Sequence, residues 1–207
     1  MQVKVLDLET TGLQHKDHRI IQIAAKVLGD ESSLYNAYIR PVGAIVSPFI
    51  ADLTGIEQAF LDAEGMSFQE GWDGFKNWLR EVKGVGNRPV VMLAHNGKKF
   101  DYDFLAAEVH RHCPCADQED WYKEAGITAF VDSLLILRED GAWPNKALKP
   151  KRFRQGDLYE HVVGKPLENG HNAIFDILAL EEILLDDMLR ETWIKVANKQ
   201  QFIWNKP

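Results

Sequence analysis

Two acids, Asp7 and Glu9, stand two residues apart in Val3–Leu13, VKVLDLETTGL, where an apolar β-branched run gives way to a Thr-Thr-Gly turn. On a strand such residues point to the same side, about 6.5 to 7 Å apart at the backbone. Like charges held this way repel unless a cation lies between them, and hard oxygen ligands suit Mg²⁺ or Mn²⁺. A strand end that simply exits into solvent could carry the same pair without any metal.

Two later stretches supply more acids and a base. In LAHNGKKFDYDFL, Leu93–Leu105, a strand ends at His95 and Asn96, and Asp101 opens a helix at the carboxyl edge of a sheet, where ligands of open α/β sheets bind. An acid there also complements a helix dipole with no other purpose. In NGHNAIFDILAL, Asn169–Leu180, His171 lies in a loop, free to move, and Asp176 sits about one turn into an otherwise apolar helix. An imidazole near its reference pKa of about 6.5 can take a proton from water at neutral pH.

The elements that must position these groups are legible from periodicity. Val3–Leu8, Ile20–Leu28 and Leu34–Ile39 predict three strands in an antiparallel meander. Phe68, Trp72, Phe75, Trp78, Leu79 and Val82 recur at helical spacing, with Gly84 and Gly86 ending the run. Arg88–His95 predicts a strand, Phe100–His112 a helix, Ala129–Asp132 a short strand, and Asn172–Leu189 a final helix. Strands alternating with helices in the second half imply parallel crossovers, so the expected fold is α/β: a mixed sheet of about five strands flanked by helices. Asp132 reads as a helix N-cap.

With 207 residues and 45% hydrophobic composition, the chain is expected to form one domain over 1–207. It has no stretch of about 18 apolar residues to span a bilayer, and Met1 leads straight into the first strand, so an intracellular protein of nucleus or cytoplasm is expected, neither membrane-bound nor secreted. Its two cysteines, Cys113 and Cys115, are too close for a ready disulfide. With His110 and His112 they offer zinc-type ligands, but the tight spacing and lack of a second cysteine pair argue against a structural zinc. The six tryptophans do not alternate with basic residues as a stacking platform would.

A net charge of −7 excludes binding to nucleic acid through a global positive field. One basic stretch, NKALKPKRFRQ, Asn145–Gln155, concentrates Lys146, Lys149, Lys151, Arg152 and Arg154, and reads equally well as a solvated loop or a local anion track.

Asp7-x-Glu9 before Thr-Thr-Gly-Leu, His95-Asn96 with Phe100-Asp101, and His171 with Asp176, in this order and on these elements, resemble the DEDDh class of 3′→5′ exonucleases. DLTGIEQAFL, Asp52–Leu61, and KRFRQGDLYEHVVGKPLENGHNAIFDILAL resemble the three-prime repair exonucleases more loosely. The resemblance implies a ribonuclease H-like fold and two Mg²⁺ ions, replaceable by Mn²⁺, on Asp7, Glu9, Asp101 and Asp176, with His171 as general base. It implies a nucleic acid with a free 3′ end as partner, DNA favoured over RNA, with single-stranded or frayed ends preferred. It places Thr10, Thr11, Gly12 and Leu13 against the terminal nucleotide, Leu13 and Ile56 as wedges against terminal bases, and His95 and Asn96 near sugar or phosphate. Lys149, Lys151, Arg152 and Arg154 become a track for the upstream strand. An RNA-trimming enzyme with the same acids, or an inactive nucleic-acid or protein binding module, are the rival readings. Oligomeric state is left open, a homodimer included.

Overall fold

The computed structural model describes residues 2–83, 89–112 and 120–199. The strand-forming runs give β1 (Gln2–Thr10), β2 (Ile20–Val27) and β3 (Leu34–Tyr38), an antiparallel meander as the alternation predicts. Two short helices follow, α1 (Pro48–Thr54) and α2 (Gln58–Glu64), divided at Gly55, whose φ of 72° only glycine adopts without strain. The amphipathic α3 (Phe68–Lys83) crosses the sheet and leads to β4 (Val90–Ala94), α4 (Asp101–His112), the short α5 (Trp121–Glu124) and β5 (Ile127–Asp132). The chain closes with α6 (Ser133–Leu137), α7 (Gln155–Val163), α8 (Ala173–Leu185) and α9 (Arg190–Ala197). Arg88, Gly84, Gly86, Cys113 and Cys115, named above as strand, helix-end and metal-ligand candidates, lie outside the described residues.

The five strands are ordered β3-β2-β1-β4-β5, with β4 and β5 parallel to β1. Alternate residues of β1 feed opposite layers. Leu6 and Leu8 enter the apolar layer under α3 and α4, built around Trp72, Phe75 and Phe104. Val5 faces the other way, into the layer of α8 and α9 with Ile177, Leu180 and Trp193. By the same two-residue period, Asp7 and Glu9 point toward α8.

The final helical run differs from expectation, because α8 and α9 are separate. Asp186 is extended (φ −54°, ψ 136°) and its carboxylate accepts from Met188 N–H at 2.9 Å, a local bond that competes with helix propagation.

Strand β2, between β3 and β1, is buried along its whole length, including Lys26 at 3% exposure. Lys26 is paired with Glu181 of α8, whose other oxygen accepts from Gly29 N–H at 2.7 Å. Glu181→Ala strands a buried ammonium and is expected to cost about 3–5 kcal/mol by urea denaturation, whereas replacing Lys26 and Glu181 together with Met recovers most of it. A single-variant loss under about 1 kcal/mol contradicts this account.

Candidate active site

Strand β1 outruns its parallel neighbour. Its pairing with β4 covers only Gln2–Val5, so Leu6–Thr10 project beyond β4 and leave a crevice at the carboxyl edge of the sheet. On the other side, β1 stays paired with β2 as far as Thr10, but β2 carries one extra residue, Ile21, between the partners of Glu9 and Thr10. The bulge turns Ile21 into a small cluster with Val46, Ile56 and Leu61 beneath α1 and α2.

The four acids reach the crevice from three elements. Asp7 and Glu9 come from β1. Asp101 comes from the first turn of α4, on the opposite layer, and reaches past the end of β4 toward the Leu8 N–H. Asp176 comes from the first turn of α8. Single oxygens of Asp7, Glu9 and Asp176 all lie within 4.8 Å of one another, and Asp101 stands outside this triangle.

Electrostatics mark the cluster as incomplete. Burial, then the charges of Asp101, Asp176 and Glu9, hold the Asp7 carboxyl well above its ordinary 3.8. Burial, then Asp176 and Asp101, push Glu9 from 4.5 up to about 8. Burial and then Asp132 push Asp101 up to about 8, against the lowering by its own N–H and that of Leu8. Burial raises Asp176 to about 6, less because His171 and Asn172 N–H groups and the His171 ring favour its anion. Asp101 Oδ1 is the buried side-chain atom without a hydrogen-bond partner among the described residues. An orphaned acceptor beside three converging carboxylates fits a hard divalent cation, which supplies the missing positive charge and takes oxygen ligands.

A fifth buried acid is not part of this cluster. Asp132, at 1% exposure, accepts from Asn96, Lys98 and Leu134 N–H groups at 2.9 to 3.1 Å, and so caps α6 as expected while pinning the loop after β4. That loop holds Asn96 at φ 66°.

The base expected to be free is tied at its backbone. His171 adopts φ 67°, and its N–H donates to Asp176 Oδ2 at 2.9 Å, because the preceding Gly170 and the helix start leave that carboxylate as the nearest acceptor. Its ring is exposed and lines the same cavity as Asp7, Glu9 and Asp176. The start of α8 is fixed by Asn172, which caps Ile174 N–H, and by Gln22 of β2, the cross-strand partner of Glu9, which accepts from Ala173 N–H at 3.3 Å.

The cavity, about 280 Å³, is lined by Thr10 at the end of β1 and by Gly12 and Leu13 from the turn after it. Gly12 lies against the His18 ring so closely that a Cβ would sit 2.3 Å from it. Leu13 is 79% exposed at the rim. Thr11 works inside the turn, exchanging hydrogen bonds with Arg19 at 2.9 and 3.0 Å.

Two expected substrate contacts are displaced by packing. Ile56 is 3% exposed in the cluster with Ile21 and does not line the cavity; Ile50 and Leu53 of α1 take that wall. His95 has both ring nitrogens engaged, with Ser133 Oγ at 2.9 Å and Phe153 O at 2.8 Å. A carbonyl only accepts, so Nε2 carries the proton and the ring fastens the basic stretch to the sheet. Burial, foremost, lowers its pKa.

Gln155, unmarked by the sequence, donates to the main-chain and side-chain oxygens of Asp176 at 2.6 and 3.3 Å. In the basic stretch, Lys149 is committed to Asp140 and to the Arg138 carbonyl, and Lys146 also pairs with Asp140. His112 pairs with buried Glu108 at 3.1 Å and packs on Phe68, which leaves it a structural role in α4.

The model of a family described as Exonuclease, RNase T, matches residues 5–139, nearly two thirds of the sequence. The chain belongs to this exonuclease family. The family match takes in Asp7, Glu9 and Asp101 and ends before His171 and Asp176. Among curated proteins, the chain is 30% identical over 185 residues to exonuclease DPD1, chloroplastic/mitochondrial, of Arabidopsis thaliana, covering 87% of this chain and 54% of that protein. It is 28% identical over 149 residues to three-prime repair exonuclease 1 of Homo sapiens, covering 68% of this chain and 43% of that one. The chain thus spans about half the length of these relatives. Among solved structures, the nuclease domain of 3′hExo, a DEDDh family member bound to rAMP, superposes with a TM-score of 0.69 over 91% of this chain and 93% of that one, at 15% identity, which confirms the ribonuclease H-like fold. No helix among the described residues is long and apolar enough to cross a membrane.

The raised acids set a pH signature for the metal-free protein. Folded Glu9 and Asp101 keep protons up to about pH 8, while their unfolded counterparts release them near 4.5 and 3.8. The folded state therefore binds more protons across that window, and stability falls as pH rises through it. Thermal melts in chelator are expected to lose Tm between pH 5 and 8, and saturating Mn²⁺ to restore it at pH 8. Asp101→Asn should raise the metal-free Tm at pH 8 by at least about 3 °C, roughly 1 kcal/mol at this chain length. A metal-free Tm that rises from pH 5 to 8 contradicts the clustering.

Proposed function

We propose that this chain is a metal-dependent 3′→5′ exonuclease that removes nucleotides from the 3′ end of DNA. The observation that carries the reading is the convergence of Asp7, Glu9 and Asp176 beside an exposed His171, in a cavity of a few hundred cubic ångströms, with Asp101 near enough for its charge to raise both Asp7 and Glu9. Two Mg²⁺ ions, or Mn²⁺ in their place, would be held by these four carboxylates and would supply Lewis-acid polarisation of the scissile phosphate and charge stabilisation at the leaving oxygen.

The chain's own groups do the rest. The terminal nucleotide lies along Thr10, Gly12 and Leu13, with Ile50 and Leu53 as the apolar wall. His171, exposed and hooked at its backbone, accepts the proton of the attacking water. Gln155 and the His171 N–H hold Asp176 in place by occupying its oxygens.

The cavity supports deoxyribose over ribose. Its neutral polar side chains have their donor protons committed: Thr10 to Gly12 O at 2.6 Å, Thr54 to Ile50 O at 2.9 Å, and Gln155 to Asp176. A 2′-hydroxyl entering there would meet Leu13, Ile50, Leu53 and Phe100 and gain little. A one-ended, narrow cavity of this size also suits an unpaired 3′ end better than a duplex terminus.

A panel of 5′-labelled DNA and RNA oligonucleotides, single- and double-stranded, tests the reading. With Mg²⁺, single-stranded DNA is expected to shorten from its 3′ end with mononucleotide release, faster than RNA. Chelator or Asp7→Ala is expected to abolish release, and His171→Ala to lower kcat by about 10²- to 10⁴-fold. Products shortened from the 5′ end, or turnover that survives chelation, would refute it, and equal or faster RNA trimming would overturn the sugar preference.

A further inference from the structure

Three cavities on this face are joined in a fixed order. The cavity with Leu13 shares Gln155, His171 and Asp176 with a second, of about 710 Å³, and the second shares Arg154 and Asp157 with a third, of about 760 Å³. The shared walls make one trough, with the carboxylates near one end. The far end is basic: Arg138, Arg152 and Arg154 surround it, with Asn96 beside them and Asp157 as the one opposing acid in its lining.

Resting on the exonuclease reading, we infer that this far end is a second phosphate site, which binds an internal phosphate of the strand on the 5′ side of the scissile one. Four features support it. The trough offers a strand whose 3′ end occupies the Leu13 cavity a continuous path past the carboxylates. The arginines are concentrated there in a chain of net charge −7, and planar guanidinium groups match phosphate oxygens. Arg138 comes from the end of α6 and the other two from the segment before α7, so the cleft has walls from separate parts of the chain. Those walls are stitched together: Lys149 Nζ donates to the Arg138 carbonyl, and His95 Nε2 donates to Phe153 O, between Arg152 and Arg154. The cleft is thereby held ready rather than assembled by the ligand.

The assignment narrows the track read from the sequence. Lys149 serves as a fastener, with its charge met by Asp140, and Arg138, outside the basic stretch, becomes a principal contact. A site of this kind measures length. An oligonucleotide too short to reach the cleft is processed with the catalytic end alone, so the last few nucleotides of a strand bind more weakly than its body.

Arg138 is exposed, its side chain forms no ion pair among the described residues, and its α6 cap is made by the backbone, so Arg138→Gln is expected to fold normally, with an unchanged thermal melt as the check. The measurement is kcat/KM with Mg²⁺ on a single-stranded DNA octamer and a dinucleotide. For the octamer, Arg138→Gln should raise KM about tenfold with kcat retained, and lower the slope of log KM against log salt by about one. For the dinucleotide it should change neither constant. In a scan of octamers carrying one neutral methylphosphonate, one internal position should cost the wild type the same factor and cost Arg138→Gln nothing further. An equal loss on both lengths, no loss on the octamer, or a scan in which variant and wild type respond alike overturns the second site. Failure of the wild type to release mononucleotides from either length would instead refute the exonuclease reading itself.

Discussion

Four carboxylates brought together in a buried crevice repel one another, and among the described residues only the His171 ring, beside Asp176, offsets any of that repulsion. That repulsion is the constraint on which the architecture depends. It is tolerated because the four acids are carried by three rigid elements: Asp7 and Glu9 by β1 at the centre of the sheet, Asp101 by the first turn of α4 on one layer, and Asp176 by the first turn of α8 on the other. Relaxation of the cluster would require β1 to slip against β2, or α8 to lift from it. Register in β1 is fixed by Leu6 and Leu8 facing one core and Val5 the other, so a one-residue slip would drive Asp7 and Glu9 into the apolar layer under α3 and α4 and turn Leu6 and Leu8 out of it. The apolar layers hold the charges in place, and the raised proton affinities record the strain.

The same economy governs the polar groups around the cluster. Gln22 sits opposite Glu9 in register yet spends its oxygen on the start of α8 and its amide on Asn36, so one residue couples the acid-bearing strand to the acid-bearing helix. Asp132, equally buried, is given three N–H donors and becomes a structural pin. The contrast between Asp132 and Asp101 separates a structural from a chemical acid by hydrogen-bond satisfaction alone: the one is fully partnered, the other keeps an orphaned oxygen.

The acids were legible in the sequence because period and position restrict them: a two-residue spacing on a strand, and first-turn placement after a strand end or a loop. The mixed sheet followed from three apolar runs before the first long helix and alternation afterwards, whereas the strand order depends on how the crossovers pack and came only with the structure. Ile56 was not legible, because a lone isoleucine just after Gly55 has no period to say whether it points inward, and the bulge that receives it depends on Ile21 thirty-five positions earlier. Gln155, Ile50 and Leu53 carry no local mark, being ordinary residues on short helices whose docking decides their role. The break at Asp186 was hidden by apolar spacing that runs on through Met188 and Leu189, while a single side-chain bond to Met188 turned the chain.

The proposed upstream phosphate site needs cations that no acid of the chain already holds, and the charge pairs divide the basic residues on that basis. Lys26 is paired with Glu181 and Arg111 with Glu108, while Lys146 and Lys149 share the single carboxylate of Asp140, so these cations stabilise loops and layers. Arg138 and Arg154 carry no such side-chain pairing among the described residues, and Arg152 only a long contact of 3.9 Å to Asp157. Screening over about 8 to 10 Å at ordinary salt makes remote lysines irrelevant to a bound strand, so uncommitted charge matters only along the trough. What separates the two uses of a basic residue here is whether an acid of the same chain already holds it.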